Sequence, residues 1–181
     1  MLYPSIEDNI SPNTVVAVLG KPETIIAFLE YLLFFDMGKL QSEIKETIYQ
    51  EAIFKIKKFE NEINLDKISN VLYHMFENWN FCGFYVKKGE QLEISSYKSD
   101  KIPCSPINMD GVCGKSIISK DTIIVPNVNE FPGHIECDPN SKSEIAIPFS
   151  NYVFDIDSKE FDDFDEIDER YLKKIINLIV F

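Results

Sequence analysis

The sequence predicts an α+β fold, a mostly antiparallel sheet with helices before and after it. Three observations predict it. Apolar residues recur at helical spacing as far as about residue 77. From Phe81 the pattern changes to strand-like runs separated by turn residues. The last stretch, near Asp165–Val180, returns to an amphipathic helical pattern. The chain has 181 residues, 45% of them hydrophobic and 13% aromatic, enough to bury a core in one domain with an extension.

Residues 1–20 carry Pro4, Pro12 and Gly20 and read as irregular, with a short strand at Thr14–Leu19. Pro22 suits the first turn of a helix running to about Phe35, where Gly38 is expected to stop it. A second helix is expected over Leu40–Glu60, with Ile44, Ile48, Ala52, Phe54 and Phe59 on or near one face. A third is expected over Asp66–Glu77, with Ile68, Val71, Leu72, Met75 and Phe76 as its stripe. Phe81–Lys87 and Gln91–Tyr97 form a hairpin across Lys88-Gly89-Glu90. Val112–Ser119 reads as a short helix and Thr122–Val125 as a strand ended by Pro126. Ile145–Phe149 and Tyr152–Ile156 are two more strands around Ser150–Asn151. Residues 1–45 share no pattern with the rest and read as a partly helical extension, a packing or oligomerisation arm.

Thirty acidic residues against 18 basic ones give a net charge of −12. That excludes a nucleic-acid backbone or an anionic membrane surface as the main partner. Arg170 is the only arginine, so no guanidinium cluster exists to read phosphates. There is no membrane-length apolar run, and MLYPSIEDN lacks a signal-peptide pattern, so a cytoplasmic location is expected. Nine acids lie between Phe154 and Glu169 against Lys159 alone. Most of them open the last helix, where negative charge suits the helix dipole.

In a cytosolic chain, cysteines serve as buried thiols, redox groups or metal ligands more often than as structural disulfides. Cys82 lies mid-strand and reads as a small core hydrophobe. Cys104, Cys113 and Cys137 lie in turn-rich polar segments, where thiols are accessible. They read equally as reactive or inert. Zinc held by these three and His134 is disfavoured, because spacings of 9 and 24 residues lack a short chelating pair. His134 follows Pro132-Gly133 in a turn; it either tunes the Cys137 loop or is a plain exposed residue. His74 reads as structural or surface. Glu144 opens one strand, while Asp155 and Asp157 alternate around Ile156 and share a face. Three carboxyls so placed would retain a proton and bind an ammonium group; otherwise they form a solvated strand end.

Taken in order, Asn80-Phe81-Cys82-Gly83-Phe84-Tyr85, Gly111-Val112-Cys113-Gly114, Pro126-Asn127-Val128, Phe131-Pro132-Gly133-His134-Ile135, Cys137-Asp138, Ser143-Glu144-Ile145 and Phe154-Asp155-Ile156-Asp157-Ser158 resemble the GAF-domain free methionine-(R)-sulfoxide reductases. The resemblance covers roughly residues 46–181. It implies a six-stranded antiparallel GAF sheet flanked by helices, a homodimer, and a small cavity for free methionine sulfoxide rather than sulfoxide within proteins. It implies Cys137 as nucleophile, Cys104 as resolving cysteine and Cys113 as an auxiliary thiol. Glu144, Asp155 and Asp157 match the substrate-binding carboxylates, and Tyr85 an aromatic of the pocket wall. No bound cofactor or metal is implied; thioredoxin is the implied reductant. The alternative is a GAF small-molecule-binding or redox-sensing module without turnover.

Three departures stand out. Phe81 occupies the position of a family tryptophan, with Trp79 nearby but out of register. The hairpin at 148–153 is several residues shorter than the family's, which either shifts Asp155 and Asp157 or clips the strands at the far end. The N-terminal extension is longer than the family needs.

Overall fold

The computed structural model describes residues 22–134 and 136–179. The strand expected at Thr14–Leu19 lies outside them. Two compact units divide between Ile44 and Lys45. Helix α1 (Pro22–Lys57) is continuous, so Gly38 does not stop it. An interior glycine costs a helix only about 1 kcal/mol relative to alanine. Here Ser42 Oγ donates to the Gly38 carbonyl at 3.0 Å, and Lys39 pairs with Glu43 one turn on at 3.9 Å. Ile44 and Phe54 are exposed, contrary to the expected stripe; the buried positions are Tyr49, Ala52 and Ile56.

In the unit from Lys45 onward, α2 (Leu65–Met75) follows a single 3-10 turn and is capped by Asn64, whose side chain accepts from the Lys67 N–H. The strands are β1 (Trp79–Lys88), β2 (Gln91–Ser99), β3 (Ile107–Asn108), β4 (Ile123–Val125), β5 (Ser143–Phe149) and β6 (Tyr152–Ser158). Their order is β3-β2-β1-β6-β5-β4, antiparallel throughout. Helix α3 (Val112–Ser119) precedes β4, and α4 (Glu166–Ile176) follows β6. The two-residue β3 has no apolar run and was not read from periodicity. Among the described residues no helix is long and apolar enough to cross a membrane.

Strand alternation sorts the side chains onto two buried faces. Cys82, Phe84, Ile145, Ile147, Phe154 and Ile156 pack against α1, α2 and α4. Phe81, Tyr85, Ala146 and Val153 form the other face with Val112 and Cys113 of α3. Both faces are covered, so the strands read as nearly continuous apolar runs. A bulge between Trp79 and Phe81 puts both aromatics in use, one per face. Trp79 stacks on Phe76 at 4.0 Å, while Phe81 lies 6.1 Å from Tyr85.

The acidic start of α4 does more than oppose the helix dipole. Asp165 and Asp168 form a reciprocal capping box. Asp168, 1% exposed, also accepts from Lys45 Nζ at 2.7 Å and Tyr49 Oη at 2.6 Å, tying α1 to α4. Removing one member of a buried charge pair costs about 3 kcal/mol or more. Asp168→Ala is therefore expected to lower stability by about 3 kcal/mol, with Asp168→Asn losing less, as read by urea denaturation.

Candidate active site

A cleft partly open to solvent lies on the face of the sheet that carries Phe81 and Tyr85. Its floor is strand backbone with Phe81, Tyr85, Glu144, Asp155 and Asp157. Its rim is Lys101–Pro103, the start of α3, and His134, Cys137, Asp138 and Ser141. Pairing sets the floor. Glu144 lies opposite Asp157, Ala146 opposite Asp155, and β1 places Phe81 and Gly83 against Asp157 and Asp155. A Cβ on Gly83 would approach the Phe81 ring and Tyr97 Cβ to 2.7 Å, so glycine is what lets the aromatics close over this strand. β5 and β6 pair continuously from Ser143 and Ser158 down to Phe149 and Tyr152, with Ser150–Asn151 as the turn.

The three carboxyls are taken out of water together. Glu144 and Asp155 are buried; Asp157 is partly so. Burial first, then the neighbouring carboxylates Asp155 and Asp157, pushes Glu144 well above the usual carboxyl range. Burial and then Asp155 do the same to Asp157, which is hydrogen-bonded to Ser141. Burial raises Asp155 to about 6, moderated by hydrogen bonds from Glu144 and Cys113. The set therefore holds protons at neutral pH. Asp155 Oδ1 is buried with no hydrogen-bond partner within the protein.

Cys113 is not an accessible loop thiol. It is 3% exposed in the first turn of α3, and its Sγ–H donates to Glu144 Oε1 at 3.7 Å. Burial, with Asp155 and Glu144 alongside, pushes this thiol well up, so it stays protonated. Cys104 and Cys137 are half-buried and joined as a disulfide, Cα atoms 5.6 Å apart. The zinc set of three thiols and His134 is consequently not assembled. Cys113, Glu144 and Asp155 do offer donor atoms within 4.8 Å of one another, but hydrogen bonds already link the three.

The loops are placed by specific contacts. Tyr85 Oη donates to the Cys104 carbonyl at 3.0 Å, and Ser105 Oγ accepts from the Ile94 N–H at 2.9 Å. Gly133 has φ +88, and a Cβ there would meet the Asp110 carbonyl at 2.7 Å. Only glycine lets the 131–134 turn rest against the segment leading into α3. That turn brings His134 Nδ1 to 3.8 Å from Glu144 Oε2. Burial lowers the His134 pKa, and its opposing charge is Glu136 rather than the protonated Glu144. Thus the eight residues expected from the sequence, Cys104, Cys113, Cys137, Glu144, Asp155, Asp157, Tyr85 and Phe81, line or adjoin one cleft. Sequence reasoning missed Lys101, Asp138 and Ser141, which share it. Their one signal was position: Asp138 follows Cys137 directly, and Lys101 precedes Cys104 by three.

No family model matches the chain. It is 36% identical over 129 residues to the free methionine-R-sulfoxide reductase of Saccharomyces cerevisiae, covering 64% of this chain and 72% of that protein. Among solved structures it resembles the free methionine-R-sulfoxide reductase of Neisseria meningitidis in complex with its substrate. The TM-score is 0.68 at 31% identity, covering 74% of this chain and 87% of that one. A GAF-domain structure matches with TM-score 0.68 at 32% identity, covering 76% and 90%. The α+β sheet described above is thus a GAF fold.

The cluster makes stability depend on pH. Asp155 has a folded pKa of about 6 against an ordinary 3.8, so the folded state binds the extra proton. Its contribution is therefore lost as pH rises from about 3.8 through about 6. Urea midpoints across that window should fall less steeply for Asp155→Asn than for the wild type. Equal slopes would exclude the raised pKa.

Proposed function

The chain belongs to the GAF-fold free methionine-R-sulfoxide reductases, and on that premise we propose that it reduces free L-methionine-(R)-sulfoxide through Cys137. One observation carries the reading: the buried Glu144–Asp155–Asp157 set, with the unpartnered Asp155 Oδ1, opens into the same cleft as Cys137. A free amino acid brings an ammonium group that supplies the missing donor. A residue inside a polypeptide brings an amide instead, which explains a preference for the free substrate.

The sulfoxide oxygen leaves sulfur only when protonated, and the protonated carboxyls supply that proton. The Cys137 thiolate attacks, the sulfur–oxygen bond breaks, and methionine departs with Cys137 as a sulfenic acid. The Cys104 thiol condenses with it, releasing water and forming the Cys104–Cys137 disulfide. A dithiol of the thioredoxin class then reduces that bond by exchange. Cys113, held protonated against Glu144, serves the carboxylate set. Phe81 and Tyr85 enclose the methyl-sulfinyl end. The working form is proposed to be a cytoplasmic homodimer without a bound cofactor, with residues 1–45 as an arm outside the catalytic unit.

Reduced protein mixed with free methionine-(R)-sulfoxide, thioredoxin, thioredoxin reductase and NADPH should consume NADPH. Cys137→Ser should abolish the consumption. Asp155→Asn should lower kcat/KM by about 100-fold, the scale of losing a charge-assisted contact in a buried site. Activity should fall as pH rises and the carboxyls lose their protons. Absence of substrate-dependent NADPH loss in the wild type would leave a binding or sensing module instead.

A further inference from the structure

A closed circuit of hydrogen bonds joins the two cysteine segments and touches the carboxylate set through Ser141. Lys101 Nζ donates to Asp138 Oδ1 at 2.5 Å. Asn80 Nδ2 donates to Asp138 Oδ2 at 3.1 Å and to Ser141 Oγ at 2.8 Å. Ser99 Oγ donates to the Asn80 carbonyl at 2.8 Å and accepts from the Lys101 N–H at 3.1 Å. Within the Cys137 segment, Asp138 also accepts from the Asn140 N–H at 2.9 Å. Burial would raise the Asp138 carboxyl, but the bonds from Lys101, Asn140 and Asn80 outweigh it and hold the acid ionised. The ring thus runs from the end of β2 through the lysine to the residue after Cys137, then back through a buried strand asparagine.

An exposed lysine–aspartate pair by itself contributes little. This one differs because its acid is anchored on Asn80, 6% exposed, and because each partner lies close in sequence to one redox cysteine. We propose that Lys101 and Asp138 are positioning residues that clasp the Cys104 and Cys137 segments together and so set the effective concentration of one thiol toward the other. The clasp acts on closure of the disulfide, after oxygen transfer. It rests on the proposed roles of Cys104 and Cys137.

The test is a redox titration of the full chain in mixtures of reduced and oxidised dithiothreitol. Oxidised dithiothreitol takes the two electrons and two protons that Cys104 and Cys137 give up, so neither substrate nor turnover is needed. Lys101→Met and Asp138→Ala are each expected to lower the equilibrium constant for disulfide formation about fivefold; Lys101→Arg is expected to restore most of it. Charge alone predicts something else: removing a cation and removing an anion shift thiolate stability in opposite directions. Equal-sign shifts support the clasp. Opposite-sign shifts, or none, overturn it. Circular dichroism and urea midpoints confirm that each variant is folded, and for one that is not, Lys101→Gln or Asp138→Asn carries the same reading. Single-turnover methionine release by the wild type reports the first step. Its absence in the wild type sinks the reductase reading and leaves the clasp to be decided by the titration.

Discussion

Three carboxyl groups sit inside a sheet whose two faces are both covered, and the rest of the molecule accommodates that fact. Carboxylates so placed are costly when ionised and unpaired. Burial holds Glu144 and Asp157 protonated, with Cys113 and Ser141 as their hydrogen-bond partners. One acceptor, Oδ1 of Asp155, is left without a hydrogen-bond partner. The cost is carried by the opposite face, where Phe84, Phe154, Ile145, Ile147 and Ile156 pack against three helices. That face stabilises the strand pairing that a repelling acid cluster would otherwise loosen.

Much of this was legible in the residues. Asp155 and Asp157 bracket one isoleucine, so they had to share a face, and strand alternation did the rest. Cys82, mid-strand between Phe81 and Gly83, reads as a small core hydrophobe, and it is fully buried. The six-strand count came only from the resemblance, since Ile107–Asn108 carries no periodic signal. Cys113 is the exception: the helix over Val112–Ser119 is legible, but that its first turn packs on the sheet and buries the thiol is not. Gly38 misleads in a different way. A glycine marks a helix end only when the chain beyond it has somewhere else to go, and here helix-forming residues continue on both sides.

Long-range polar pairs were the least legible. Lys45 with Asp168, and Lys101 with Asp138, join residues 123 and 37 positions apart. In the sequence their charges enter only the net balance. In the fold each acid is a fixed anchor, one tying helix to helix and the other tying the two cysteine segments. Net charge records neither.

The turn at Ser150–Asn151 separates length from chemistry. Glu144 and Asp157 pair at one end of the β5–β6 ribbon and Phe149 and Tyr152 at the other. Residues added or removed at the turn lengthen or shorten the ribbon without changing which acids face each other. Ribbon length and the pairing of the acids are therefore set at opposite ends of the hairpin. A peptide tag or a fluorescent reporter grafted at the turn would leave the cleft's floor as it stands.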